Sequence, residues 1–151
     1  IMTRPKLAIL DEPTSGLDPV ARDELLEILT EYIQDENHGV LFSTHITADV
    51  ERIADFVTIL HNGKVWFTGD KDELAEKYQV IKGSEDDIPS GLMEKMIGYH
   101  NYRNGFEALI KTEDTIGLTD EFVCEKASID EILVYIAKED KNERNPENGK
   151  V

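Results

Sequence analysis

Three observations predict an α/β fold for the first half of this 151-residue chain, with a smaller α+β part behind it. Two short apolar runs, Lys6–Leu10 and Gly39–Phe42, bracket an amphipathic stretch, which argues for parallel strands joined by a right-handed helical crossover. Asn62-Gly63 between two further apolar runs marks a hairpin. A well-capped periodic helix closes the second half.

Taken in order, Arg4–Pro5 interrupt local structure before the first strand. Its apolar residues Leu7–Leu10 read as a strand buried on both faces and run straight into Asp11–Glu12. The two acids thus stand at the carboxyl end of the strand, where open α/β sheets bind their ligands. Asp18 can cap a helix whose first position is Pro19. Leu25, Leu26, Leu29, Tyr32 and Ile33 follow at helical spacing, and Asn37-His38-Gly39 supplies a stop. The second strand ends in Ser43-Thr44-His45. A short helix comes next, with Ile46, Val50, Ile53 and Ala54 on one side. Phe56–Leu60 and Val65–Thr68 flank the turn His61–Lys64, whose His61 and Lys64 are expected to be solvated. Gly69 ends the hairpin, and Asp70 with Glu73 starts a helix reaching about Tyr78.

From Tyr78 the character changes. Tyr78–Ile81 reads as a strand, Gly83–Gly91 as an acidic boundary loop, and Leu92–Ile97 as helical. Tyr99–Tyr102 and Phe106–Ile110 around Arg103-Asn104-Gly105 form a second hairpin. Ser128 and Glu131 make a capping box, and Ile129, Ile132, Leu133 and Ile136 recur at i, i+3, i+4, i+7. From Glu139 the chain has almost nothing to bury and is expected to be disordered. The predicted organisation is therefore 1–78, a small α+β extension over 79–138, and a tail over 139–151.

With 16 basic and 32 acidic residues the net charge is −16. Such a surface repels nucleic acid and anionic membrane alike, which argues against a DNA- or RNA-binding role. Cys124 has no partner for an internal disulfide and reads as a small, buried hydrophobe. No apolar run approaches the roughly 18–20 residues needed to span a bilayer, and the first residues carry no signal-peptide cleavage site. A soluble, cytosolic chain is expected. No Cys/His pairing has metal-site spacing, and His38 and His100 carry no motif.

An apolar run ending in two acids is, by itself, equally an acidic strand end. The residues after it are more specific. Asp11-Glu12-Pro13-Thr14-Ser15-Gly16-Leu17-Asp18-Pro19, and the second strand ending in Ser43-Thr44-His45, resemble the Walker B strand, D-loop and H-loop of ABC-type ATPases. The similarity continues through the helix, Asp55, the hairpin and the helix to Tyr78. One departure is Asp49, where the family often has a glutamate; it is expected to leave the chemistry alone.

The resemblance implies a partial P-loop NTPase sheet of ABC type over 1–78. It implies ATP as ligand and Mg²⁺ as the nucleotide-borne metal, held by Asp11 through a water. Glu12 is implied as the catalytic group for the attacking water, and His45 as the group reaching the γ-phosphate. Ser15, Gly16, Leu17 and Asp18 would form the nucleotide-side seam with a second ATPase subunit, packed head to tail. The implied location is peripheral, on the inner face of the membrane, through a transmembrane permease subunit; no nucleic acid and no direct membrane insertion are expected.

The chain holds no G-x-x-x-x-G-K-[ST] loop, no Leu-Ser-Gly-Gly-Gln signature and no upstream aromatic platform for adenine. A phosphate site needs the first of these. In the family all three precede Walker B, so the chain is expected to be truncated at its N-terminus and inactive by itself. In the family's sheet the strand before the missing loop lies between the His45-bearing strand and Phe56–Leu60. Without it, apolar faces and edges are expected to be exposed.

Ser15-Gly16-Leu17-Asp18 favours a transport subunit over translation-associated members of the family. The stretch Ala127–Glu139 looks like the C-terminal helix of bacterial exporter ATPases that handle drugs, peptide antibiotics or lantibiotics. The expectation is a fragment of a transporter's ATPase subunit, of export type. The alternatives are a fragment of a soluble ABC-family ATPase acting on ribosomes or DNA, or a non-enzymatic dimerisation or regulatory piece built on Tyr78–Lys138.

Overall fold

The structure, a computed structural model, describes residues 5–144. By its internal packing the chain divides into two compact units, one up to Val57 and one from Thr58.

The first unit begins with strand β1 (Leu7–Asp11), followed by helix α1 (Pro19–Ile33), strand β2 (Gly39–Ser43) and helix α2 (Thr47–Ile53). β1 and β2 pair in parallel, in register from Leu7 opposite Gly39 to Asp11 opposite Ser43. This is the expected strand–helix–strand arrangement, with α1 as the crossover. Asp18 caps α1 by accepting from Val20 N at 2.9 Å and Ala21 N at 3.1 Å, and Pro19 takes the first helical position. Leu26 and Leu29 are the buried residues of the helix.

Two expectations are corrected here. β1 is not buried on both faces: Leu7 is 56% and Ile9 70% exposed, as is Leu41 at 61% on the paired strand. Ile9 and Leu41 are register partners, so they share one open face; Ala8, Leu10, Val40 and Phe42 form the half-buried one. An apolar sequence makes a strand fit for burial but does not supply the cover. In α2 the buried residues are Thr47 and Asp49, while Ile46, Val50, Ile53 and Ala54 are only half-buried. Helical periodicity of apolar residues misses a polar side that is packed because its groups are hydrogen-bonded.

Strands β3 (Phe56–His61) and β4 (Lys64–Asp70) form the expected hairpin, and the division between the units falls inside β3. Asn62 at φ 49° and Gly63 at φ 73° supply the two left-handed positions that a tight hairpin turn with the right twist demands. Asp70 caps helix α3 (Lys71–Lys77), accepting from Asp72 N at 2.7 Å. α3 passes without a loop into strand β5 (Tyr78–Gly83).

β5 belongs to a four-stranded antiparallel sheet with β6 (Ile97–Tyr102), β7 (Gly105–Lys111) and β8 (Val123–Lys126), in the order β6-β7-β5-β8. Ile81, Ala108, Ile110 and Phe106 pack on one face with Leu92, Met96 and Phe122. The register partners Val80 and Leu109 lie on the other face. Helix α4 (Ile129–Arg144) packs against β6 and β7 and buries Ile129, Ile132, Tyr135 and Ile136. Its capping box is formed as expected: Glu131 N donates to Ser128 Oγ at 3.2 Å, and Ser128 N to Glu131 Oε2 at 2.9 Å.

Four details of this unit differ from the sequence reading. Leu92–Ile97 is not a helix; one 3₁₀ turn at Met93–Lys95 precedes Ile97, which joins β6. β8 was not foreseen, because Val123–Lys126 has one clear apolar residue and its pairing partner is remote in sequence. The disorder expected from Glu139 is overturned for 139–144, which continue α4. Glu139 accepts from Gly98 N at 2.5 Å, and Asp140 meets His61 Nε2 at 2.8 Å. Polar residues with partners extend a helix that apolar burial would have ended. His61, expected to be solvated, is for the same reason only 25% exposed. The remainder of the expected tail, 145–151, lies outside the described residues.

Candidate functional site

The carboxyl ends of β1 and β2 lie side by side, and parallel registry decides what meets there. Asp11 stands opposite Ser43, and Ser43 Oγ donates to Asp11 Oδ1 in a short hydrogen bond. The backbone then leaves the strand: Glu12 takes φ 46°, and its N–H points back at Ser43, 3.1 Å from both the carbonyl oxygen and Oγ. A non-glycine residue at positive φ is uncommon and tends to mark a functional constraint. This turn carries the Glu12 side chain to His45, where Oε2 and Nδ1 are 2.8 Å apart.

Asp11, Glu12 and His45 are therefore brought together in one place by two strands separated in sequence. The His45 side chain is 71% exposed and that of Glu12 38%, so both are open to an incoming ligand. With Nδ1 held by Glu12, the Nε2 edge of the imidazole is left for that ligand. Ser43 is the contributor that sequence reasoning passed over. Its role rests on the parallel register, which sets it opposite the last residue of β1.

The turn after Glu12 is built from two successive backbone bonds, Ser15 N to the Glu12 carbonyl at 3.1 Å and Leu17 N to the Thr14 carbonyl at 3.3 Å. Gly16 is at φ 74°, with nothing within 4 Å of where a Cβ would stand. Conformation, not crowding, requires glycine there. Ser15, Gly16, Leu17 and Asp18 are all exposed.

Among the described residues no group of three or more His, Cys, Asp or Glu side chains could hold a metal ion. What the site offers is one strand-end carboxylate with a neighbouring hydroxyl. Such hard oxygen donors suit Mg²⁺, an ion that keeps several waters and takes its remaining ligands from phosphates. Asp11 would hold it, and the second carboxylate oxygen is the atom free of Ser43. A cavity in the second unit is lined by Lys82, Tyr102, Phe106, Glu107 and Glu121 of the four-stranded sheet and its flanking segments.

No family model matches the chain. Curated relatives do. The bacitracin transport ATP-binding protein BcrA of Bacillus licheniformis is 31% identical over 116 residues, covering 75% of this chain and 38% of that protein. The ABC-type transporter ATP-binding protein EcsA of Bacillus subtilis is 40% identical over 98 residues, 65% of this chain and 39% of its own length. The lantibiotic transport ATP-binding protein SrtF of Streptococcus pyogenes is 45% identical over 65 residues, 43% of this chain and 28% of its own. A solved ABC transporter in an inward-facing conformation aligns at a TM-score of 0.42 with 25% identity, over 74% of this chain and 42% of that one.

The first unit is an α/β unit with paired acids at a parallel strand end and a histidine beside them, and the relatives give the family. The chain belongs with the ABC transporter ATP-binding proteins. It spans well under half the length of these relatives, and that partial coverage is consistent with a C-terminal portion of such a protein. Among the described residues no helix is long and apolar enough to cross a membrane.

Proposed function

We propose that this chain is the Walker B to C-terminal part of the ATP-hydrolysing subunit of an ABC transporter, of export type. The observation that carries this is the convergence of Asp11, Glu12, Ser43 and His45 at one end of the β1–β2 pair, with Glu12 and His45 at 2.8 Å. In this reading Asp11 would hold Mg²⁺, and the ion would offset phosphate charge. Glu12 accepts a proton from, or orients, the attacking water. His45, anchored at Nδ1 by Glu12, presents its other edge to the γ-phosphate. The exposed turn Ser15–Asp18 meets a second ATPase subunit, and a separate permease subunit tethers the assembly to the inner face of the membrane.

Relatives named for bacitracin and lantibiotic transport support the assignment to a transporter. The alignment with the bacitracin protein is 116 residues long, more than the 78 residues assigned to the ATPase part. It therefore takes in much of the 79–138 extension, which we assign to the exporter-type C-terminal region.

Because the 151 residues contain no phosphate-binding G-x-x-x-x-G-K-[ST] loop, the chain by itself is expected to bind ATP weakly and not to turn it over. Joined to an upstream segment that supplies that loop, it should hydrolyse ATP with Mg²⁺. Phosphate release measured on both forms tests the proposal. Turnover by the 151-residue chain itself, or none by the completed form, would contradict it.

A further inference from the structure

Among the described residues the two most deeply buried polar side chains are Asp49 and Thr14, at 0% and 1% exposure, and neither is a candidate catalytic group. They meet each other. Thr14 Oγ1 donates to Asp49 Oδ2 at 2.5 Å, and Arg22 donates to Asp49 Oδ1 from Nε at 2.7 Å, with Nη2 at 2.5 Å. A buried carboxylate is costly unless paired, and taking away one partner leaves the charge stranded.

The three residues come from the turn after Glu12, from α1 that follows this turn, and from α2 that follows His45. Thr14 lies inside the turn, spanned by the bond from Ser15 N to the Glu12 carbonyl. Arg22 sits in α1, one turn beyond its Asp18 cap, with Arg22 N bonded to the Asp18 carbonyl at 3.0 Å. Asp49 is four residues past His45, and the link between them is stiff: Ile46 N donates to Thr44 Oγ1 at 3.0 Å and Asp49 N to the Ile46 carbonyl at 3.0 Å. Neighbouring Ile46 and Val50 are only half-buried, so packing alone does not seat α2 against the turn.

We propose that Asp49 is a positioning residue for the Glu12–His45 pair. Its carboxylate fixes the separation of the 13–18 turn and α2, so that a displacement of the turn is passed to His45. The geometric part stands by itself; its kinetic consequence rests on the ATPase reading above. Coupling of this kind runs through a contiguous hydrogen-bonded network with a definable element at each end.

The test compares Thr14→Val, Thr14→Ser and Asp49→Asn. In the 151-residue chain the readout is the imidazole ¹⁵N spectrum of His45, with Glu12→Gln as the reference for a broken pair. In the form completed with a phosphate-binding loop, the readout is the kcat and KM split for ATP. Thr14→Val and Asp49→Asn should move the His45 Nδ1 resonance in the direction that Glu12→Gln moves it, and Thr14→Ser should leave it in place. Thr14→Val should lower kcat by about tenfold or more with KM for ATP unchanged, as small misplacements of catalytic groups do. A wild-type His45 spectrum in Thr14→Val, or equal losses in Thr14→Ser and Thr14→Val, would overturn the proposal. Should Asp49→Asn fail to fold, the Thr14 pair decides. If Glu12→Gln turned over ATP as fast as the wild type, the ATPase reading would fail while the His45 spectrum still judged the positioning role.

Discussion

Gly98 shows how a single residue can hold an element in place. It sits in β6 at φ 62°, and a Cβ added there would lie 2.1 Å from the backbone oxygen of Tyr135 in α4. Backbone cannot yield as a flexible side chain can, and the left-handed conformation adds its own strain. Gly98→Ala should therefore cost about 3 kcal/mol or more, read as a fall in the urea midpoint, whereas Gly91→Ala, also left-handed at φ 83° but with open space around it, should cost only the conformational part, about 1 kcal/mol. Glu107 is a second case. Burial works against its ionisation, but hydrogen bonds from Tyr102, Tyr135 and Lys138 together outweigh it and hold its carboxyl below the usual carboxylate range. A group depressed in the folded state contributes stability that is full above its unfolded value, about 4.5, and is lost as pH falls through the lower folded value. The gap in unfolding free energy between wild type and Glu107→Gln should thus be constant near neutral pH and close as pH falls below the unfolded value. A gap that instead widened on acidification would refute the assignment.

At the scale of elements, what could be read from sequence was what is local. The Asp18 cap, the Asn62-Gly63 turn, the Asp70 cap and the Ser128–Glu131 box each satisfy backbone groups within a few residues, so the motif carries its own cause. β8 and the last turn of α4 depend on partners far along the chain, Ile81 for Cys124 and Gly98 for Glu139, and no local pattern announces them. The site divides in the same way. Asp11, Glu12 and His45 were legible because a resemblance named them. Ser43 was not, nor was the Thr14–Arg22–Asp49 network, because those residues act through pairings that only the fold creates. The open face of the β1–β2 pair gives an element-scale prediction. Ile9→Thr and Leu41→Thr exchange residues that are 70% and 61% exposed, so each should change stability by less than about 0.5 kcal/mol while lowering aggregation on heating. A large loss of stability would mean that this face is covered in the isolated chain.

For the whole molecule, charge and exposed apolar surface act in opposite senses. A net charge of −16 favours solubility through mutual repulsion. The exposed Leu7, Ile9 and Leu41 on one sheet, with Phe56 and Leu60 on β3, favour association. Screening should therefore tip the balance: above about 0.5 M salt, where the Debye length is only a few ångströms, the isolated chain should self-associate. A monomeric elution profile and a sharp two-state melt under those conditions would contradict this. The central claim is narrower, that Glu12 and its neighbours are one half of an ATPase centre. Its most direct test is steady-state ATP hydrolysis by the chain completed with a phosphate-binding loop, wild type against Glu12→Gln. Loss of the general base should lower kcat by about 10²-fold or more; turnover within twofold of the wild type would contradict the claim.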